Sequence, residues 1–376
     1  MAKMAAVDWS LLPSELIQLV GDCLLATEDF DCYDSLRQVC HNWRSGTADP
    51  KTAEFDDARF LPKNLAMINL DVDGDAVATF VNLATGRFLR RHVAAVGIGG
   101  DYNFVAATAG GLFVLSEKSP PHEARVLNPF TGHVARFTAP IHAEEVREVA
   151  VTMTSSSPPS LMLFVSWFHG RRVRWADQQS EQFHEMAVEF PANCINLTPF
   201  SGEVYVTNNR WRRSVFSTVL AADDVIAMAP IIPLPPPLTV PNAYILHHIV
   251  ESAGELLLVG VWFEIHIVHK VDTMNKVVVP VTSLGSRALF VSEIRSFSVD
   301  AAKFPTVEAG CIYYVRRGMS LYDCYHLADG WMEEYIPVAN LWIAVRQQAC
   351  ILPLTLEQVL VNYCIDTEKS SELNSD

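Results

Sequence analysis

Basic residues are scarce in this chain of 376 residues: 28 Lys and Arg stand against 43 Asp and Glu, a formal charge of −15. A field of that sign repels phosphate backbones and anionic lipid surfaces, which argues against a nucleic-acid or membrane-surface role. No apolar run reaches about 18 residues, the length at which a membrane span becomes credible. Met1 to Asp8 show no charged-then-apolar leader, so the expected setting is intracellular, cytoplasm or nucleus. The eight cysteines, at 23, 32, 40, 194, 311, 324, 350 and 364, include no Cys-x-x-Cys pair. That removes the usual zinc or redox signature, and reduced, buried thiols are expected.

Signatures of catalysis are missing too. There is no Gly-x-Ser-x-Gly elbow and no phosphate-cradling Gly-x-x-x-x-Gly-Lys loop. Gly97-Ile98-Gly99-Gly100 lacks the third glycine of a dinucleotide fingerprint and reads as a turn. Asp71-Val72-Asp73-Gly74-Asp75 lacks the downstream Glu of a calcium loop, and Asp-Gly is a hairpin turn. His247-His248 and His266-x-x-His269 put neighbouring side chains on opposite faces of a strand, so neither pair converges on an ion. The expectation is no catalytic residue, no metal and no cofactor.

What is present changes character near residue 50. Leu12, Leu16, Ile17, Val20 and Leu24 recur at helical spacing after Trp9-Ser10-Leu11-Leu12-Pro13-Ser14. Ser10 or Ser14 suits an N-cap and Pro13 a first turn. Leu36, Val39, Cys40 and Trp43 form a second periodic stretch, across the polar connection Thr27 to Asp31. So small a unit buries little by itself. Its apolar stripes need cover, either from the rest of the chain or from a partner.

From about residue 65 short β-rich runs replace the helices: Val77 to Leu83, Leu112 to Leu115, Leu161 to Trp167, Val204 to Thr207, Glu255 to Trp262, Lys276 to Val281 and Cys311 to Val315. Turn residues bound them, which predicts a nearly all-β region. Asn82-Leu83-Ala84-Thr85-Gly86 is echoed by Asn128-Pro129-Phe130-Thr131-Gly132, and Ser201-Gly202, Ala253-Gly254 and Ala309-Gly310 follow. The loose period is that of a four-stranded propeller blade, roughly 40–50 residues, and gives about six blades. A pair of β-sandwiches is the alternative. Pro230 to Pro241 reads as an extended polyproline loop. Two clusters interleave Arg with Trp, Arg171 to Trp175 and Arg210 to Arg213. Arg172, Arg174, Trp211 and Arg212 are the candidate target-binding residues, since both types favour interface hot spots; a solvated loop with an anchored Trp is the plainer reading.

The first segment, Leu12-Pro13-x-Glu15-Leu16-Ile17 followed by Leu36-Arg37-x-Val39-Cys40-x-x-Trp43-Arg44, resembles the F-box. The remainder resembles the plant domain of unknown function 295, through Leu127 to Gly132, Glu251 to Val259, His269 to Asp272, Ser283 to Phe290 and Cys311 to Tyr314. The resemblance implies an F-box over 8–50, a propeller-like β domain over 55–365 and a disordered tail over 366–376. It implies a non-enzymatic substrate adaptor of an SCF-type cullin–RING ubiquitin ligase. The F-box would bind a Skp-family linker, and through it cullin, while the β domain recruits a protein target. Leu12, Pro13, Leu16, Ile17, Val20, Leu36, Val39, Cys40 and Trp43 would form the linker-binding surface and its support. Two stretches depart from the family pattern: Cys23 to Asp34, with Glu28, Asp29, Asp31 and Asp34, and Asn64-Leu65-Ala66-Met67 before the first strand.

Overall fold

The structure is a computed structural model that describes residues 9–71, 76–93, 98, 100–154, 159–167, 173–186, 194–208, 214–220, 226–233, 246–262, 265–316, 321–337 and 356–364. Three short helices open it: α1 (Ser14–Ala26), α2 (Phe30–Gln38) and α3 (His41–Ser45). Pro13 holds the N-cap of α1 and Ser14 lies within the first turn, so no side chain caps that helix. Asp29 caps α2 by accepting from the Cys32 amide at 3.3 Å.

A six-bladed β-propeller follows. Blade 1 comprises β1 (Leu65–Asp71), β2 (Val77–Asn82) and β3 (Phe88–His92). Blade 2 comprises β4 (Tyr102–Ala107), β5 (Phe113–Glu117), β6 (Glu123–Leu127) and β7 (Val134–Pro140). Blade 3 holds β8 (Val146–Met153), β9 (Leu161–Trp167), β10 (Val173–Asp177) and β11 (His184–Glu185). Blade 4 holds β12 (Cys194–Phe200), β13 (Glu203–Asn208), β14 (Ser214–Leu220) and β15 (Ile226–Pro233). Blade 5 holds β16 (Leu246–Ser252), β17 (Glu255–Trp262), β18 (Ile265–Asp272) and β19 (Val277–Val281). In blade 6, β20 (Arg287–Val291) pairs with β21 (Ser296–Asp300) on one side and in parallel with β22 (Cys311–Val315) on the other; β23 (Leu321–His326) and β24 (Met332–Pro337) complete it.

The repeated turns explain the blade period. Asn82 Oδ1 accepts from the amides of Ala84 and Thr85 at 2.9 and 3.1 Å, and Gly86 takes φ +74°. Asn128 Oδ1 accepts from Phe130 and Thr131 at 3.0 and 3.4 Å, and Gly132 takes φ +77°. Each motif joins the last two strands of its blade, β2 to β3 and β6 to β7, and the left-handed glycine closes it without a Cβ clash. Ser201-Gly202 and Ala253-Gly254 have both φ values positive, the hairpin geometry that matches strand twist.

Ring closure is the feature the sequence pattern concealed. A fourth helix, α4 (Leu356–Tyr363), interrupts the expected all-β order and contacts β1. Leu360, Val361, Tyr363 and Cys364 share one core with Ala66, Val81 and Leu83 of blade 1 and with Phe290, Phe297 and Tyr313 of blade 6. Phe290 stacks on Phe297 at 5.2 Å and on Tyr313 at 4.6 Å. Apolar packing of a helix thus seals the seam between blades 1 and 6.

Several expectations need correction. Pro230 to Pro233 do not belong to a loop: they end β15, where Phe216 faces Pro230 and Val215 faces Ile232. An outer edge strand has amides that need no partner, so proline is tolerated there. The stretch after Pro233, the Asp73-Gly74 turn and the 366–376 tail lie outside the described residues. The departure at Asn64 to Met67 does not disturb β1, whose Leu65 and Ala66 are fully buried. Not every thiol is buried: Cys311, Cys324 and Cys364 are, Cys32 and Cys40 are half-buried, and Cys23 is exposed. No helix among the described residues is long and apolar enough to cross a membrane.

Candidate functional site

The helical unit has two faces with opposite fates. On the inward face Phe30 stacks on Phe130 of the propeller, centroids 4.6 Å apart, and Tyr33 meets Phe60 edge-on at 5.8 Å. Glu28, at a positive φ of 53°, is buried and accepts from the amides of Lys63 and Asn64 at 3.1 and 3.0 Å and from Asn64 Nδ2 at 2.9 Å. Burial raises its pKa, and those hydrogen bonds oppose the rise. Asn82 Nδ2 donates to the Thr27 carbonyl at 2.8 Å, and Asn128 Nδ2 to the Phe60 carbonyl at 2.8 Å. Blade turns therefore hold the helical unit as well as themselves. Arg87 pairs with Asp29, and Arg91 with Asp31 and Asp34 at 3.2 and 2.7 Å. Asp29, Asp31 and Asp34 thus form a clasp onto blade 1, and Glu28 holds the segment that leads into β1.

The outward face stays bare. Leu16, Leu19 and Val20, at spacings of three and four on α1, are 48%, 60% and 45% exposed. Leu11 and Trp9 before the helix are 77% and 62% exposed, and Val39 at the end of α2 is 57% exposed. Isolated exposed apolar residues are ordinary, but here three on one helix face are left without cover from the described residues.

Of the nine residues expected at a partner surface, Pro13, Leu16, Val20 and Val39 are exposed, and Leu12, Cys40 and Trp43 are half-buried. Ile17 and Leu36 are buried by their own chain and are supports, not contact residues. Ile17 points from the inner side of α1 towards Gly46, where a Cβ would meet Ile17 Cγ2 at 3.4 Å. Trp43 works on the support side too, its indole N–H donating to the Trp9 carbonyl at 2.9 Å, while Asn42 Nδ2 donates to the Ser10 and Leu12 carbonyls at 2.9 and 3.1 Å. Trp9, Leu11 and Leu19 were missed; Leu19 falls three residues after Leu16, so its periodicity was readable.

Arg37 organises the unit from within. Its Nη1 donates to the carbonyls of Arg44, Thr47 and Ala48 at 3.2, 2.8 and 2.6 Å, and its Nη2 pairs with Asp49 at 3.2 Å. Arg37→Ala leaves those carbonyls without their donor, and a loss of about 2 kcal/mol is expected in urea unfolding. An unchanged midpoint would contradict this role.

The second feature is the central channel, where the inner ends of the blades enclose a cavity of about 580 Å³. Glu148, Asn196, Glu251, Arg295 and Tyr363 line it. Arg295 donates to the Tyr363 carbonyl at 3.2 Å, and its guanidinium lies 4.7 Å over the Tyr363 ring. Arg147 of blade 3 reaches across the ring to the Glu293 carbonyl of blade 6. The Asn196 amide nitrogen and the Tyr363 hydroxyl are buried without a hydrogen-bond partner. Glu148 opens on the cavity yet lies deep in the ring, and burial pushes its pKa up to about 8, against the pull of Arg147, the Leu197 backbone and Arg295. Burial there favours its protonated form near neutral pH.

That shift has a sign. From the usual 4.5 up to about 8 the folded chain keeps a proton the unfolded chain has released, so stability falls as pH rises through that window. Glu148→Gln should flatten the slope: equal stability near about pH 4, and a gain of about 2 kcal/mol near about pH 9, discounted because cavity water screens the charge. Parallel pH profiles for the two proteins would refute the assignment.

The histidines are accounted for by burial. His247, His248 and His266 are buried, and burial pushes His248 down to about 3 and His266 down to about 4. His266 stacks on Tyr325 at 4.6 Å. Of the basic clusters, Arg172, Trp211 and Arg212 lie outside the described residues. Arg174 is half-buried on β10, and Trp175 packs on the blade 3–4 core with His184 at 4.8 Å.

A family model described as the KIB1-4 β-propeller matches residues 80–334. The chain belongs to the KIB1-4 β-propeller family. The match runs from β2 to β24, so the helical unit lies ahead of the matched KIB1-4 propeller. No curated protein matches the sequence. Among solved structures it is similar to a quinonprotein alcohol dehydrogenase-like protein of Bacteroides thetaiotaomicron, at 12% identity and a TM-score of 0.33, covering 74% of this chain and 61% of that one. The complex of the fission yeast SREBP-SCAP binding domains gives 13% identity and a TM-score of 0.35, covering 84% of each chain. A Listeria monocytogenes protein gives 9% identity and a TM-score of 0.26, covering 74% and 93%. The chain spans about three-fifths of the Bacteroides protein's length. At this distance such likeness carries no functional argument.

Proposed function

We propose that this KIB1-4 propeller protein is a substrate-recognition adaptor of an SCF-type cullin–RING ubiquitin ligase. The helical unit, read as an F-box, docks a Skp-family linker, and the propeller holds the protein to be modified. The observation that carries this reading is the division of α1: Ile17 and Leu25 turn inward, while Leu16, Leu19 and Val20 face solvent. Covering that row on binding would remove apolar surface from water at about 25 cal/mol per Å². The mechanism is proximity. The chain raises the local concentration of a target near a ubiquitin-charged enzyme and performs no reaction of its own. Co-purification of the full chain with a Skp-type linker tests it. A stoichiometric complex on size exclusion is expected; separate elution at micromolar concentrations would sink the proposal.

A second reading is a propeller binding module without ligase function, favoured by the channel cavity with its buried, unpartnered Asn196 and Tyr363 polar atoms. Failure to capture any linker, with retained binding of a target by the propeller, would select it.

A further inference from the structure

We infer that blade 6 carries a zinc site built from Cys311, Cys324 and His326, with Glu308 beside it. Sheet register brings these residues together. Cys311 lies opposite His326, and Tyr313 opposite Cys324, so both thiols and the imidazole project from the same face of the β22–β23 hairpin. Their ligand atoms all fall within 4.8 Å of one another. Cys311 Sγ is 3.3 Å from His326 Nδ1. Glu308 Oε2 lies 3.7 Å from His326 Nε2 and 4.0 Å from Cys311 Sγ.

Two thiolates and an imidazole are a soft and borderline donor set that suits Zn²⁺, and a metal with Zn–S of about 2.3 Å fits among sulfurs at this spacing after a small inward movement. A disulfide fits worse. Cys311 and Cys324 are diagonal neighbours, about 7–8 Å apart at Cα by ordinary sheet geometry, beyond the roughly 4.4–6.8 Å a disulfide spans. Glu308 has the place of an outer carboxylate. At 3.7 Å it is not yet hydrogen-bonded to Nε2, and a small turn of this exposed carboxylate on metal binding would let it accept from the Nε2–H and leave Nδ1 for the metal, a recurring arrangement around zinc-bound histidine. The Tyr313 hydroxyl accepts from the Glu308 amide at 2.9 Å and fixes that loop. Water completes the tetrahedron. Cys311 and Cys324 are buried, while the His326 side chain keeps 23% exposure and Glu308 68%, which leaves a route for the ion from outside. Binding releases the two thiol protons to solvent and involves no redox change. It pins β22 to β23 in the middle of blade 6, beside the core that closes the ring.

The test uses the full chain purified under reducing conditions without chelator, with metals counted by mass spectrometry and cobalt titrated into the stripped protein. About one zinc per chain is expected, and Co²⁺ should give a thiolate-to-metal charge-transfer band with the intense visible bands of tetrahedral cobalt. Cys324→Ser and His326→Ala should each cut retained zinc to below about a tenth, and Glu308→Gln should weaken it about tenfold. His326→Ala alters a partly exposed position, so its unchanged circular dichroism separates metal loss from misfolding. Cys23→Ser, at an exposed thiol on α1, should change nothing. Zinc-free wild type with no cobalt spectrum, cobalt bands that survive in Cys324→Ser, or a Cys311–Cys324 disulfide under reducing conditions would each overturn the assignment.

Discussion

Phe30→Ala should destabilise the chain by about 3–5 kcal/mol, the range for truncating a buried phenylalanine whose site cannot collapse. The ring is 2% exposed and stacks on Phe130, which in turn lies 5.0 Å from Phe80 of blade 1. Removing it opens a cavity between rigid strands on one side and α2 on the other. The polar clasp around it would then carry the contact alone, and Arg87–Asp29 is exposed enough at Arg87 to contribute little. Urea denaturation followed by tryptophan fluorescence reads the effect. A tethered helical unit would behave differently: it would melt separately, and Phe30→Ala would leave the propeller transition untouched. A change below about 1 kcal/mol would contradict the packed interface.

Leu16→Asp is the complementary change, expected to spare stability and remove partner binding. Leu16 is the third residue of α1, where a carboxylate is favourable beside the free amides of a helix N-terminus. The helix should therefore persist. The substitution puts a charge in the middle of the exposed apolar row, and a linker that buries this row must desolvate it. A loss of about 2–4 kcal/mol, roughly thirty- to a thousandfold in Kd, is the scale of an interface hot spot. Isothermal titration of the purified linker against both proteins measures it. Equal affinities would exclude the α1 row from the interface.

The β region was legible because each blade repeats a short alternating run and a turn with a required residue. The expected runs at Leu161 to Trp167, Glu255 to Trp262 and Cys311 to Val315 are the strands observed. Asn and Gly recur in the turns because an Asx hydrogen bond and a positive φ are needed there, a local demand visible in sequence. Helical period likewise revealed α1, but it ran Leu36 to Trp43 together where the helix breaks at Val39 and Cys40 between α2 and α3, and it left Phe30, the first residue of α2, in the polar connection. It did not show which side of α1 would be covered, since Ile17 and Leu16 are equally apolar and only the neighbouring chain decides. The acidic run from Glu28 to Asp34 looked like a departure from a motif because its partners are distant in sequence: Lys63 and Asn64 for Glu28, and Arg87 and Arg91, more than fifty residues away, for Asp29, Asp31 and Asp34. α4 was hidden for a similar reason: eight apolar-rich residues after two dozen strands carry no signal of the seam they fill. The cross-strand thiols escaped a search for Cys-x-x-Cys, although Cys324-x-His326 is the spacing that places two side chains on one face of a strand.

The central claim is that one face of the helical unit is clasped to the propeller while the other awaits a linker protein. Hydrogen–deuterium exchange of the full chain, with and without a Skp-type linker, addresses both halves at once. New protection confined to peptides spanning residues 9–43, with blade exchange unchanged, is the predicted result. Protection appearing on the blades alone, or none anywhere at saturating linker, would contradict it.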